Sequence, residues 1–189
     1  AMAASIRGFK MKLIMPETAS LERVKTMEAY GAEVILVSKD QDMEGARDLA
    51  LRMQKNGEGH VLDQFSNSSN FMAHYESTGP EIWKQTDEKV THFISAMGTT
   101  GTITGVSRFL KEKNVNIQII GVQPKDNSRI PGIRRWKKGY TPKIFENAIV
   151  DEIIDISQSD AEISMTSLAK EYGIFVCPTR MDSQGVSRD

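Results

Sequence analysis

Apolar and polar positions alternate along this chain in two rhythms, and the rhythms take turns. Runs with a period near 3.6 residues mark helices, and short apolar or alternating runs mark strands. Residues Ala1 to Arg7 read as helix, which Gly8 can stop. Lys10 to Met15 is a short strand ended by Pro16, Ser20 caps a helix running to Tyr30, and Gly31 fits its C-terminal cap. Glu33 to Ser38 is a strand. Asp42 caps a helix in which Met43, Ala46, Ala50 and Met53 share one face, and Gly57 closes it. Val61 to Phe65 reads as a strand, Ser66 to Asn70 as a polar loop, and Thr78 to Gln85 as a helix with Pro80 in its first turn. A strand at 91–97, a helix at 103–113 and a strand from Ile117 to Val122 follow. Pro124 to Asn147 is irregular, with Pro131, Gly132, Gly139 and Pro142; so long a segment in a compact domain is usually functional or disordered. Val150 to Ile156 alternates as a strand. Ser159 and Glu162 form a capping box for a helix on which Met165, Leu168, Ala169 and Tyr172 align, and Gly173 to Val176 is strand-like. Strands alternating with helices predict an α/β fold: a mainly parallel sheet with right-handed crossovers and helices on both faces.

The chemistry concentrates where the strand at 91–97 meets the next helix, in Met97-Gly98-Thr99-Thr100-Gly101-Thr102-Ile103. Glycine lets the backbone approach an anion closely and supplies unusual dihedrals. The first N–H groups of a helix lack helical partners, and the macrodipole adds roughly half a positive charge there. Strand, small-residue loop and helix N-terminus is thus an arrangement that holds a phosphate, with three threonine hydroxyls available to complete the cradle. Ligands of parallel sheets sit outside the carboxyl ends of strands, where this loop lies. It is not a Walker loop, since no lysine follows Gly101, nor a dinucleotide fingerprint, since its glycines fall at 98, 101 and 105. Taken alone, the loop reads either as a phosphate cradle or as a tight turn that binds nothing.

Composition narrows the partners. The 189 residues are 39% apolar and 26% charged with a net charge of −1, which gives no electrostatic case for nucleic acid or an anionic membrane. No apolar run approaches the roughly 18–20 residues that span a bilayer. One cysteine, Cys177, excludes an internal disulfide and fits a reducing cytosol. His60, His74 and His92 are far apart without metal spacing, so no metal site is expected; His74 and His92 read as structural. The start, which reads as a helix interior, and the polar stretch from Pro178 to Asp189 lead to the expectation of a fragment, or of a frame change near Val176.

Read in order, these elements resemble the fold type II pyridoxal-phosphate enzymes, specifically the cysteine synthases. The resemblance rests on Met11 to Pro16, Tyr30-Gly31-Ala32-Glu33, Asp63-Gln64-Phe65, His74-Tyr75, Thr78-Gly79-Pro80-Glu81-Ile82-Trp83 and Gly98-Thr99-Thr100-Gly101-Thr102, and runs from residue 1 to about 175. It implies an incomplete fold type II architecture: a remainder of the small mobile domain over 1–60, part of the larger cofactor-binding domain over 61–176, and an aberrant tail at 177–189. It assigns the cofactor phosphate to Gly98, Thr99, Thr100, Gly101 and Thr102, and turns Gln64 towards the substrate. Ile130 to Trp136 and Glu44 to Ala50 resemble the B isoform, whose pattern puts Arg134, Arg135 and Trp136 at the active-site mouth. Two guanidiniums there suit an anionic sulfur donor such as thiosulfate.

The implied activity is β-replacement on O-acetylserine with sulfide or thiosulfate, in a cytoplasmic homodimer that uses pyridoxal 5′-phosphate. The resemblance also puts the Schiff-base lysine and an S-G-N-T-G loop ahead of residue 1, and a G-x-S-S-G-G segment where Cys177 to Asp182 stand, so no catalytic residue is assigned and the isolated chain is expected to be inactive. Lys10, Lys12, Lys25 and Lys39 are replacements only in name. Other fold type II lyases, such as a serine dehydratase or a cystathionine synthase, and a non-catalytic remnant that binds phosphate or a partner protein, are the alternatives.

Overall fold

The computed structural model describes residues 1–137 and 139–176, and expectations that concern 177–189 lie outside the described residues. The chain divides into two compact units, Ala1–Leu62 and Asp63–Asp189. The first unit runs α1 (Met2–Ile6), β1 (Lys12–Pro16), α2 (Leu21–Ala29), β2 (Glu33–Val37) and α3 (Asp42–Lys55). β1 and β2 pair in parallel, with Lys12 opposite Glu33 and an ion pair of 3.6 Å between them. Gly8, Gly31 and Gly57 take φ of 70°, 80° and 78° behind the three helices, the left-handed conformation that lets each helix stop. Asp42 is the first helical residue and not the cap: Gln41 occupies that place, with no side-chain bond to the helix.

The second unit begins with α4 (Ser68–Ala73), a π-helical turn at His74–Thr78 and α5 (Gly79–Gln85). It continues through β3 (His92–Ala96), α6 (Gly101–Lys113), β4 (Gln118–Pro124), a 3₁₀ turn at Lys143–Asn147, β5 (Glu152–Ile156) and α7 (Gln158–Tyr172). The three strands form a parallel sheet in the order β3-β4-β5, with Ile94 opposite Ile120 and Val122 opposite Ile154. Helix α6 is its organising element. Ile103, Val106 and Leu110 are fully buried and pack with Met97, Ile117 and Ile119 into one core. Burying a side chain of that size contributes about 1.5–3 kcal/mol. Gly105 lets a second layer approach the same helix: a Cβ there would lie 2.7 Å from the Tyr75 amide nitrogen and 2.8 Å from the His74 Cβ.

Further local expectations fail for identifiable reasons. Val61 to Phe65 is not a strand, because Asp63 takes φ of 44° and its carboxylate accepts from the Phe65 amide at 3.3 Å and from the Ser66 hydroxyl, which folds the chain into a turn. The polar stretch that follows is not a loop but the start of α4, with the Asn67 side chain accepting from the Ser69 amide at 2.9 Å as its cap. Helix α7 is capped by Ser157, whose hydroxyl accepts from the Asp160 amide at 3.1 Å, two residues before the predicted Ser159. Gly173 ends that helix at φ of 66°, and Ile174 to Val176 continue exposed without strand pairing.

Candidate functional site

The site grows from the point where β3 ends and α6 begins. Met97 is still held by the sheet, its amide donating to the Val122 carbonyl at 2.9 Å. Beyond it the amides of Gly98, Thr99 and Thr100 have no backbone partner among the described residues. Thr100 is the N-cap of α6 and sits at φ of 70°, a left-handed conformation that is uncommon outside glycine and concentrates at functional positions. Its hydroxyl is buried and has no partner. The Gly101 amide faces only a long contact to the Thr99 hydroxyl at 3.4 Å, and Thr104 makes the first full helical bond, to the Thr100 carbonyl at 3.0 Å. Left-handed and right-handed residues in succession turn amides to one side as an anion-binding concavity at the positive end of the α6 dipole.

Gly98 and Gly101 are required by their surroundings. A Cβ on Gly101 would run into the side-chain amide of Asn70, and one on Gly98 would lie 2.8 Å from the Gly132 carbonyl oxygen. An orphaned buried hydroxyl, unpaired amides and two obligate glycines fit a phosphate ester, so these residues can hold the phosphate end of pyridoxal phosphate.

Two side chains that the sequence did not reveal as site residues support the loop. Asn70 donates to the Gln64 carbonyl and lies 3.4 Å from the Thr99 hydroxyl. His74 joins the Thr78 hydroxyl at 2.9 Å through Nδ1 and the Thr102 hydroxyl at 3.3 Å through Nε2. Asn70 stands on α4 and His74 opens the π-helical turn that continues it, at i and i+4, a spacing that becomes meaningful only once that stretch is known to be helical. His92 meets only the adjacent Thr91 hydroxyl, at 2.9 Å.

The irregular segment before Lys138 returns to the same loop. The Arg134 amide donates to the Met97 carbonyl at 2.9 Å, and the Trp136 indole donates to the Gly98 carbonyl at 3.0 Å. Trp136 packs edge-on against Phe65 with centroids 5.2 Å apart, and the Arg134 guanidinium lies 5.7 Å over the Trp136 ring. Gln64, next to Phe65, is exposed. Arg135 turns the other way: Nε donates to the Pro124 carbonyl at 2.9 Å and lies 3.3 Å from Asp126, while Nη2 contacts Asp155. The Gln123 amide and the Arg135 guanidinium hold the Asp155 carboxyl below the usual carboxylate range. Among the described residues no cluster of His, Cys, Asp and Glu could hold a metal, and no helix is long and apolar enough to cross a membrane.

Over residues 1–180 the chain matches the family described as pyridoxal-phosphate dependent enzyme, and it belongs to that family. Within it, the chain is 59% identical over 175 residues to cysteine synthase B of Pseudomonas aeruginosa, covering 93% of this chain and 58% of that protein. Cysteine synthase B of Escherichia coli is 58% identical over the same shares. A solved cysteine synthase of Entamoeba histolytica superposes with a TM-score of 0.83 at 38% identity, covering 94% of this chain and 54% of that one. The chain thus spans a little over half the length of these relatives.

Proposed function

We propose that this chain forms the phosphate-binding part of a cysteine synthase, an enzyme that replaces the acetoxy group of O-acetylserine with a sulfur nucleophile. The observation that carries the reading is the Gly98–Thr102 cradle, with free amides and an orphaned Thr100 hydroxyl. It stands in a chain 59% identical to cysteine synthase B. Pyridoxal phosphate, when bound, supplies the electron sink that lets a group leave the β-carbon of an amino acid. The protein's own share is positioning. Gly98, Thr99, Thr100, Gly101 and Thr102 hold the phosphate, His74 and Asn70 orient the threonines, and Gln64, Arg134 and Trp136 form the substrate entrance, which Arg135 braces. Because Arg135 is engaged by carboxylates, Arg134 is the guanidinium available to an oxyanion donor such as thiosulfate, and Arg135 fixes the segment that carries it. A single cysteine and ordinary composition support placing the whole enzyme in the cytoplasm, and we expect a homodimer by likeness to the family.

The test uses the full-length protein that contains this chain. It is loaded with pyridoxal phosphate, supplied with O-acetylserine and sulfide or thiosulfate, and assayed for cysteine or S-sulfocysteine. Formation of either supports the reading. Turnover of neither, with the cofactor bound, contradicts it.

A further inference from the structure

The segment that carries Arg134 and Trp136 is tied down at two ends. One end is the phosphate loop, which receives the Arg134 amide and the Trp136 indole. The other is the C-terminal end of the sheet, reached by the side chain between them. Arg135 bonds the Pro124 carbonyl, contacts Asp126 and meets the carboxylate of Asp155 on β5. Asp155 lies opposite Gln123 in the parallel ladder and accepts from its side-chain amide at 2.9 Å, which orients the carboxylate towards the arginine. Nη2 of Arg135 is buried and has no hydrogen-bond partner beyond this ion contact. A lone exposed ion pair contributes little. This one differs because a backbone carbonyl, an amide and a second carboxylate fix both partners, and because a buried guanidinium end left without its carboxylate is costly.

We propose that Arg135 and Asp155 are positioning residues: their ion pair is the latch through which strand β5 seats Trp136 and Arg134 against the phosphate loop. The importance of the latch for the substrate entrance rests on the reading given above; the latch itself does not. It makes a residue 19 positions beyond Trp136 in sequence, on a different strand, responsible for where the indole and the Arg134 guanidinium stand.

The indole N–H of Trp136 reports this directly, and that of Trp83, the second tryptophan, serves as internal reference. Hydrogen exchange of both is followed by ¹⁵N NMR in the 189-residue chain and in Asp155→Asn, Asp155→Glu and Arg135→Ala. Asp155→Asn keeps the shape and removes the charge. It is expected to speed Trp136 exchange about tenfold, the factor one charge-assisted hydrogen bond commands, with Trp83 unchanged. Asp155→Glu restores most of the protection, and Arg135→Ala reproduces the loss. Unchanged Trp136 protection in Asp155→Asn overturns the proposal, as does an Asp155→Glu variant that exchanges as fast as Asp155→Asn. If Arg135→Ala exposes both indoles by unfolding, the comparison of Asn with Glu at 155 decides alone. No cofactor or sulfur donor enters the measurement, so its failure leaves the phosphate reading standing, and failure of the phosphate reading leaves this result standing.

Discussion

Thr100 departs from ordinary backbone geometry in order to turn the loop. Its φ of 70° costs of order 1–3 kcal/mol in a non-glycine residue, and its hydroxyl is buried unpaired. Such strain marks a loop shaped before any anion arrives, and a bound phosphate would give the buried hydroxyl its partner. The neighbouring glycine gives a test. Gly101→Ala drives a methyl group into the Asn70 amide, so phosphate affinity measured by calorimetry should fall at least tenfold while the melting temperature falls by only a few degrees. Arg134 gives another. In the full-length enzyme Arg134→Ala should reduce thiosulfate use by roughly one to two orders of magnitude, the equivalent of about 1.5–3 kcal/mol for a charged contact, and sulfide use much less. Steady-state kinetics with both donors on one variant decide it, and equal losses would mean that Arg134 supports the fold and not the donor. The glycine-threonine loop was legible in the sequence because its chemistry is contained in five adjacent residues. Asn70 and His74 were not, because they reach the loop only through tertiary packing that Gly105 permits.

Helices and strands largely followed the hydrophobic rhythm and departed from it where side chains redirect the backbone. Asp63 converts the expected strand at 61–65 into a turn by accepting bonds from the Phe65 amide and the Ser66 hydroxyl. Ser157 and Ser159 are equally good caps by residue type, and geometry alone selects Ser157. Ser157→Ala should therefore cost about 1 kcal/mol in thermal or denaturant unfolding, with Ser159→Ala within about 0.5 kcal/mol of the parent. Gly105→Ala should destabilise by about 1–3 kcal/mol, because the π-helical turn lies against α6 with no room for a methyl group. The latch at β5 adds a pH dependence. The folded-state pKa of Asp155 lies below its unfolded value, chiefly through Gln123 and then Arg135. Its contribution is therefore present above the unfolded value and is lost as pH falls through the folded one. Trp136 indole protection should accordingly hold at neutral pH and fall away only below the usual carboxylate range, and Asp155→Asn should remove that acid step.

At the scale of the whole molecule the parallel α/β plan was readable from the alternation of elements, and the family from six short motifs. Period and propensity do not encode which strands meet, and only the family resemblance, with its division at residue 60, pointed to two groups of strands rather than one sheet. The chain spans 58% of the length of the Pseudomonas relative. Whether residues 98–102 grip a phosphate through main-chain amides is decided by ¹⁵N NMR of the chain titrated in parallel with pyridoxal phosphate and with pyridoxal, which lacks the phosphate. Saturable shifts of the Gly98 to Thr102 amides are expected with the phosphorylated compound, competed by inorganic phosphate, and none with pyridoxal. Equal responses to the two compounds, or shifts confined to other residues, would contradict a phosphate grip.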